Sequence, residues 1–135
     1  MGLTDKIYKN AGFELETVSD GDVQTVRGDC LYRLVTGGFE LFFKEEQTDT
    51  RIVLTAENVI FERKGDVSYK IDLRPKKQTT TDMKTPYGKI PLTVEGKDML
   101  YMPTAEGFDA IFRYDMYPQP NQSKVEMTVS LRVKY

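Results

Sequence analysis

A chain of 135 residues, 39% hydrophobic and 30% charged, has the size and composition of one domain, 1–135, around a single core. Its 19 Lys and Arg nearly balance 21 Asp and Glu, and a net charge of -2 gives no long-range pull toward nucleic acid or anionic lipid. With no histidine and one cysteine, Cys30, the chain lacks the groups for Ser-His-Asp or Cys-His catalysis, histidine metal sites, thiolate clusters and an intrachain disulfide. The expectation is no catalytic residue, no metal and no cofactor.

From the amino terminus, "MGLTDKIYKNAG" lacks the basic start and apolar stretch of a secretory signal, and Lys6 stands where an acylation signal beginning at Gly2 needs Ser or Thr. No apolar run approaches the roughly 20 residues that cross a bilayer. A lone thiol suits a reducing compartment, so a cytoplasmic protein without membrane contact is expected.

Ile7 to Asn10 reads as a short strand or a helical turn. Period-two alternation then takes over, with strands expected near 12–19, 22–35, 39–46, 51–56, 58–64, 67–74, 88–95, 98–104, 108–117 and 124–134. Asp20-Gly21, Gly37-Gly38, Lys64-Gly65-Asp66, Gly96-Lys97 and Glu106-Gly107 supply the turns between them. "SDGD" (Ser19 to Asp22) is a hairpin turn, because it lacks the ligand spacing of a calcium loop. "LRPKKQTTTDMK" gathers Arg74, Lys76, Lys77 and Lys84 in what reads as a solvated loop, without the exposed aromatics of a nucleic-acid site. In "MKTPYGKIPL", Thr85 to Gly88 form a corner, and Pro91 requires an edge, bulge or gap in the following strand. "KVEMTVSLRVKY" places Val125, Met127, Val129, Leu131, Val133 and Tyr135 on one face, as a half-buried antiparallel strand does.

About ten hairpin-linked strands, each with one apolar face, bury those faces most simply in a single up-and-down antiparallel β-barrel of about 8–10 strands. Such a barrel is either filled or holds one small ligand. Parity sends Arg63 inward with Phe61, Tyr69, Phe112 and Tyr114. An inward guanidinium needs a partner, and a bidentate carboxylate suits it best; the phenols can hydrogen-bond, and the aromatics make an apolar wall. Thr85 and Tyr87 would stand at the rim of an entrance. The alternative for Arg63 is a barrel-mouth position with its head in water. Asp109 and Asp115, six residues apart on one strand, would stand about 20 Å apart, too far for a glycosidase pair, and read as solvent-face charges.

Four stretches carry a resemblance: "RGDCLYRLVTGGFELFFKEE", "IVLTAENVIFERKGDVSYKIDL", "MKTPYGKIPLTV" and "GFDAIFRYDMY". Together, from about Gly12 to Tyr135, they resemble the YwiB-like bacterial family of unknown function. The matches are Arg63 and Gly65, the Thr85 to Gly88 corner, and Tyr114; Met83 departs from an aromatic common in the family. The resemblance implies a calycin-like barrel, related in shape to lipocalins and fatty-acid-binding proteins, and a ligand-binding role by analogy. Two readings follow. One is a non-enzymatic barrel holding a small, partly apolar ligand, with or without an anionic group, through Arg63, Tyr69, Thr85, Tyr87, Phe112 and Tyr114. The other is an interaction or regulatory module with a filled core, acting through its surface or as a homodimer, for which exposed Phe42, Ile111 and Tyr117 are the candidates.

Overall fold

A computed structural model describes residues 7–117 and 123–135; Gly2 and Lys6 lie outside the described residues. Ten strands are present: β1 (Lys9–Ser19), β2 (Asp22–Val35), β3 (Gly38–Glu45), β4 (Thr48–Leu54), β5 (Val59–Lys64), β6 (Tyr69–Leu73), β7 (Gln78–Thr85), β8 (Gly88–Pro103), β9 (Gly107–Tyr117) and β10 (Val125–Lys134). They form one antiparallel sheet in the order β6-β5-β4-β3-β2-β1-β10-β9-β8-β7. The sheet curls until β6 and β7 face each other, giving a nearly closed ten-stranded barrel. Asp20 (φ 49°) and Gly21 (φ 85°) make the tight turn expected between β1 and β2.

Two expectations are corrected. Gln78–Thr85 is a strand, β7, and not a solvated loop. Its half-buried side carries Thr79, Thr81, Met83 and Thr85, so the apolar alternation that marks other strands is missing, and the β-branched threonines are its only strand signal. The predicted strands 88–95 and 98–104 are one strand, β8, and Gly96-Lys97 is a register shift inside it rather than a turn. Glycine is needed there because a Cβ on Gly96 would lie 2.4 Å from the Arg74 carbonyl oxygen. The bulge lets the Arg74 to Lys77 loop pack against β8.

That loop helps close the barrel. Lys76 N–H donates to the Gly96 carbonyl at 2.8 Å, and Gly96 N–H to the Lys77 carbonyl at 3.3 Å. At the other end of the seam, Ser68 and Lys84 exchange backbone bonds of 2.9 and 2.8 Å. Pro91 pairs with Asp82 of β7. On its other side the described pairing of β8 with β9 ends at Thr93 with Tyr117, so among the described residues no ladder bond calls on the proline for a donor.

A second opening lies between β2 and β3. Only Leu31–Val35 of β2 pair with Gly38–Phe42 of β3, whereas β2 pairs with β1 all the way to Asp22. Below Leu31 the two hairpins therefore part. The opposite end of the barrel is filled: Phe39, Val59 and Phe108 have no exposed surface. Phe39 packs on Phe108 at 4.6 Å, and Tyr32, Tyr101 and Tyr135 surround them.

Candidate functional site

The inner side of β3 to β6 carries one transverse row. Phe43 pairs with Thr50, Thr50 with Arg63, and Arg63 with Tyr69. Directly opposed residues on antiparallel strands share a face, so the buried Phe43 and Thr50 hold the half-buried Arg63 and Tyr69 on the inner face. The Tyr69 ring stacks on Phe61 at 6.2 Å, Phe61 meets Phe112 at 6.3 Å, and Phe112 stacks on Tyr114 at 6.4 Å. These separations fall within the range of aromatic pairs. Four of the six predicted residues, Arg63, Tyr69, Phe112 and Tyr114, thus come together along one inner wall.

The electrostatics of this wall suit a neutral-donor environment around one cation. Burial pushes the Tyr69 phenol up from its ordinary value, and the Arg63 guanidinium pulls it partly back. Burial, with the neighbouring Tyr69, pushes Tyr114 up further. Both phenols stay protonated and able to donate at neutral pH. Among the described residues Arg63 forms no ion pair. Every other arginine does: Arg27 with Glu14, Arg33 and Arg51 with Glu40, Arg74 with Asp72, Arg113 with Asp98 and Arg132 with Asp109.

The parting of β2 from β3 leaves a concavity of about 530 Å³, within the roughly 300–1,000 Å³ of small-molecule sites. Nine of its twelve lining residues, among them Leu31, Phe42 and Arg51, are on the outer face, inner-face Cys30, Phe43 and Thr50 make up the rest, and none of the six predicted residues lines it. Phe43 and Thr50 also begin the row that leads to Arg63. The Cys30 thiol, buried and beside Asp29, is pushed up to about 11.

Beside this concavity, sharing Phe42 and Arg51 with it, stands a cluster that sequence reasoning missed. Glu40 is on the outer face yet only 4% exposed. It accepts from the Tyr8 hydroxyl at 2.6 Å, Arg33 Nε at 2.7 Å and Arg51 Nε at 2.8 Å. Tyr8 lies edge-on to Phe42 at 5.2 Å, and Arg33 and Arg51 cover the Tyr8 and Phe42 rings. Phe42 is consequently half-buried. Burial pushes the Glu40 carboxyl up, but the Tyr8, Arg33 and Arg51 hydrogen bonds outweigh it and hold Glu40 below the usual carboxylate range.

The remaining predicted residues lie apart from the wall. Thr85 Oγ1 accepts from Tyr87 N–H at 3.1 Å and donates to the Gly88 carbonyl at 2.8 Å, while Gly88 takes a φ of 122°. Thr85 thus holds the corner, and Tyr87, 98% exposed, projects from it into solvent. Asp115 corrects another expectation, because it is only 2% exposed. The β8 bulge brings Lys97 to 3.1 Å from its carboxylate, and Lys124 approaches to 3.5 Å. Ile111 is 40% exposed, beside exposed Leu100 and Met102; Tyr117 is half-buried.

A family model described as a domain of unknown function, DUF1934, matches residues 14–130. The crystal structure of the ywiB protein from Bacillus subtilis has the same fold, with a TM-score of 0.75 at 18% identity over 97% of this chain and 98% of that one. No curated protein matches the sequence.

Proposed function

We propose that this chain, which belongs to the DUF1934 family, binds a small, partly apolar anion inside the barrel in the manner of calycins. Arg63 anchors the anionic group, Tyr69 and Tyr114 donate to it, and Phe61 and Phe112 cover the apolar part. The observation that carries this reading is the inner-face arginine that has no carboxylate partner among the described residues, in a chain whose other arginines are all ion-paired. A half-buried guanidinium gains most from a bidentate anion that displaces its residual water. The β2/β3 parting is the entrance, since its concavity shares Phe43 and Thr50 with the Arg63 row. Thr85 and Tyr87 stand on the β7-β8 hairpin at the same end of the barrel, across from this parting, and take no part in the entrance. No catalytic step is assigned, and a reducing cytoplasm suits the buried Cys30 thiol.

The test is a fluorescence titration with 1-anilinonaphthalene-8-sulfonate, an apolar anion, competed by dodecanoate. Saturable one-to-one binding is expected, weakened about tenfold or more in Arg63→Met, with near-ultraviolet circular dichroism unchanged. Equal affinity in Arg63→Met and the parent protein would overturn the reading.

A further inference from the structure

We infer that the chain forms a two-fold dimer by pairing the lower part of β2 with the same segment of a second copy. Between Asp22 and Cys30, β2 pairs with β1 on one side only. Ser19 and Asp22 close a two-residue turn and face each other across it, so Asp22, Gln24, Val26 and Gly28 direct their backbone groups to β1. Val23, Thr25, Arg27 and Asp29 direct theirs the other way. The turn at Thr36-Gly37 gives the same parity independently, because Val35 pairs with Gly38 and the odd-numbered residues face β3. Among the described residues, no backbone partner meets these four N–H and four C=O groups.

An open edge of this length normally carries a blocker. The overhanging edge of β8 has Pro91 and Lys89. From Asp22 to Asp29 there is no proline, no lysine and no bulge, and Val23 is 59% exposed. A second copy fits because the edge is self-complementary, and the register centred on Thr25 pairs 22–28, whereas one centred on Gln24 pairs only 22–26. A two-fold axis normal to the sheet keeps inner faces on one side, so it pairs only residues of equal parity. Centred on Thr25, it sets Val23 opposite Arg27, Thr25 opposite Thr25, Gln24 opposite Val26 and Asp22 opposite Gly28. No like charges oppose one another, and the Arg27 stem covers Val23. A centre at Val26 would put Gly21 opposite Leu31, a position that Phe42 of β3 already holds. A centre at Arg27 would oppose two guanidiniums.

Light scattering behind size exclusion tests this, with three proteins at about 0.01 to 1 mM. The parent is expected at twice the 15.5 kDa chain mass. Thr25→Pro removes only an N–H that faces away from β1, and is expected to weaken the dimer at least about tenfold while leaving circular dichroism unchanged. Thr25→Cys is expected to form a covalent dimer on mild oxidation, because opposed strand residues lie within disulfide reach. A parent that stays monomeric at 1 mM overturns the inference. So does a dimer that is indifferent to Thr25→Pro and is not trapped by Thr25→Cys. A second β2 would lie along the β2/β3 parting that the proposed ligand enters, so the fluorescence titration is also run on Thr25→Pro. Binding there that is lost on adding Arg63→Met keeps the ligand reading whether or not the parent dimerises, so the two readings fail separately.

Discussion

Replacing Glu40 by glutamine should destabilise the fold by an amount that depends on pH. The carboxylate is 4% exposed and accepts from Tyr8, Arg33 and Arg51. Glutamine keeps one acceptor oxygen, but it turns an amide N–H₂ toward guanidinium donors and removes the charge. Hydrogen bonds to charged groups contribute roughly 1.5–3 kcal/mol each. The Arg33 and Arg51 side chains are 42% and 32% exposed, so water can replace part of what they lose. About 2 kcal/mol at pH 7 is the expected cost, which lowers the midpoint of thermal unfolding by roughly 6–10 °C in a domain of this size. Because the folded carboxyl is held below its ordinary range, this stabilisation is fully present above the unfolded value of about 4.3 and is lost as pH falls through the folded one. Urea unfolding of both proteins from pH 7 to pH 3 therefore shows a gap that is constant down to about pH 5 and then closes. Equal stability at pH 7, or a gap that widens on acidification, would refute the reasoning.

Four further outcomes follow from the packing. Cys30, pushed up to about 11 and 4% exposed, should react with a disulfide reagent at pH 8 at least about a hundredfold more slowly in the folded protein than in urea. Gly96→Ala should loosen the β6/β7 seam, since its Cβ would meet the Arg74 carbonyl at 2.4 Å; hydrogen exchange should accelerate at Ser68, Lys76 and Lys84 before it does in β9. Gly107→Ala, whose Cβ would fall 1.9 Å from the Val133 carbonyl, should cost more than about 3 kcal/mol in urea unfolding. Asp98→Asn, by contrast, breaks an ion pair with Arg113 whose partners are 51% and 54% exposed, and thermal unfolding should scarcely register the change.

Where the alternation is apolar, the strands and their inner faces could be read directly. That is why Arg63, Tyr69, Phe112 and Tyr114 could be placed on inner faces by parity alone, while their meeting along one wall is a matter of strand register. The parting of the β1-β2 and β3-β4 hairpins was not read, because strand lengths alone do not say where pairing between neighbours stops. Nor was β7, because threonines supply strand propensity without a hydrophobic period. Gly96 was misread for a physical reason: turns and close backbone approaches both demand glycine, and only the position of the Arg74 to Lys77 loop separates them. Glu40 and Asp115 are outward by parity, and their burial depends on Tyr8 and the two arginines in one case and on the bulge at Gly96 in the other. Those are tertiary events, invisible along a single strand.

The central claim is that Arg63 holds an anion. Native mass spectrometry of the protein taken directly from cells tests it, with Arg63→Met prepared in parallel. The account predicts a small acidic molecule retained by the parent protein and absent from Arg63→Met. Bare protein in both samples, or the same bound mass in both, would contradict it.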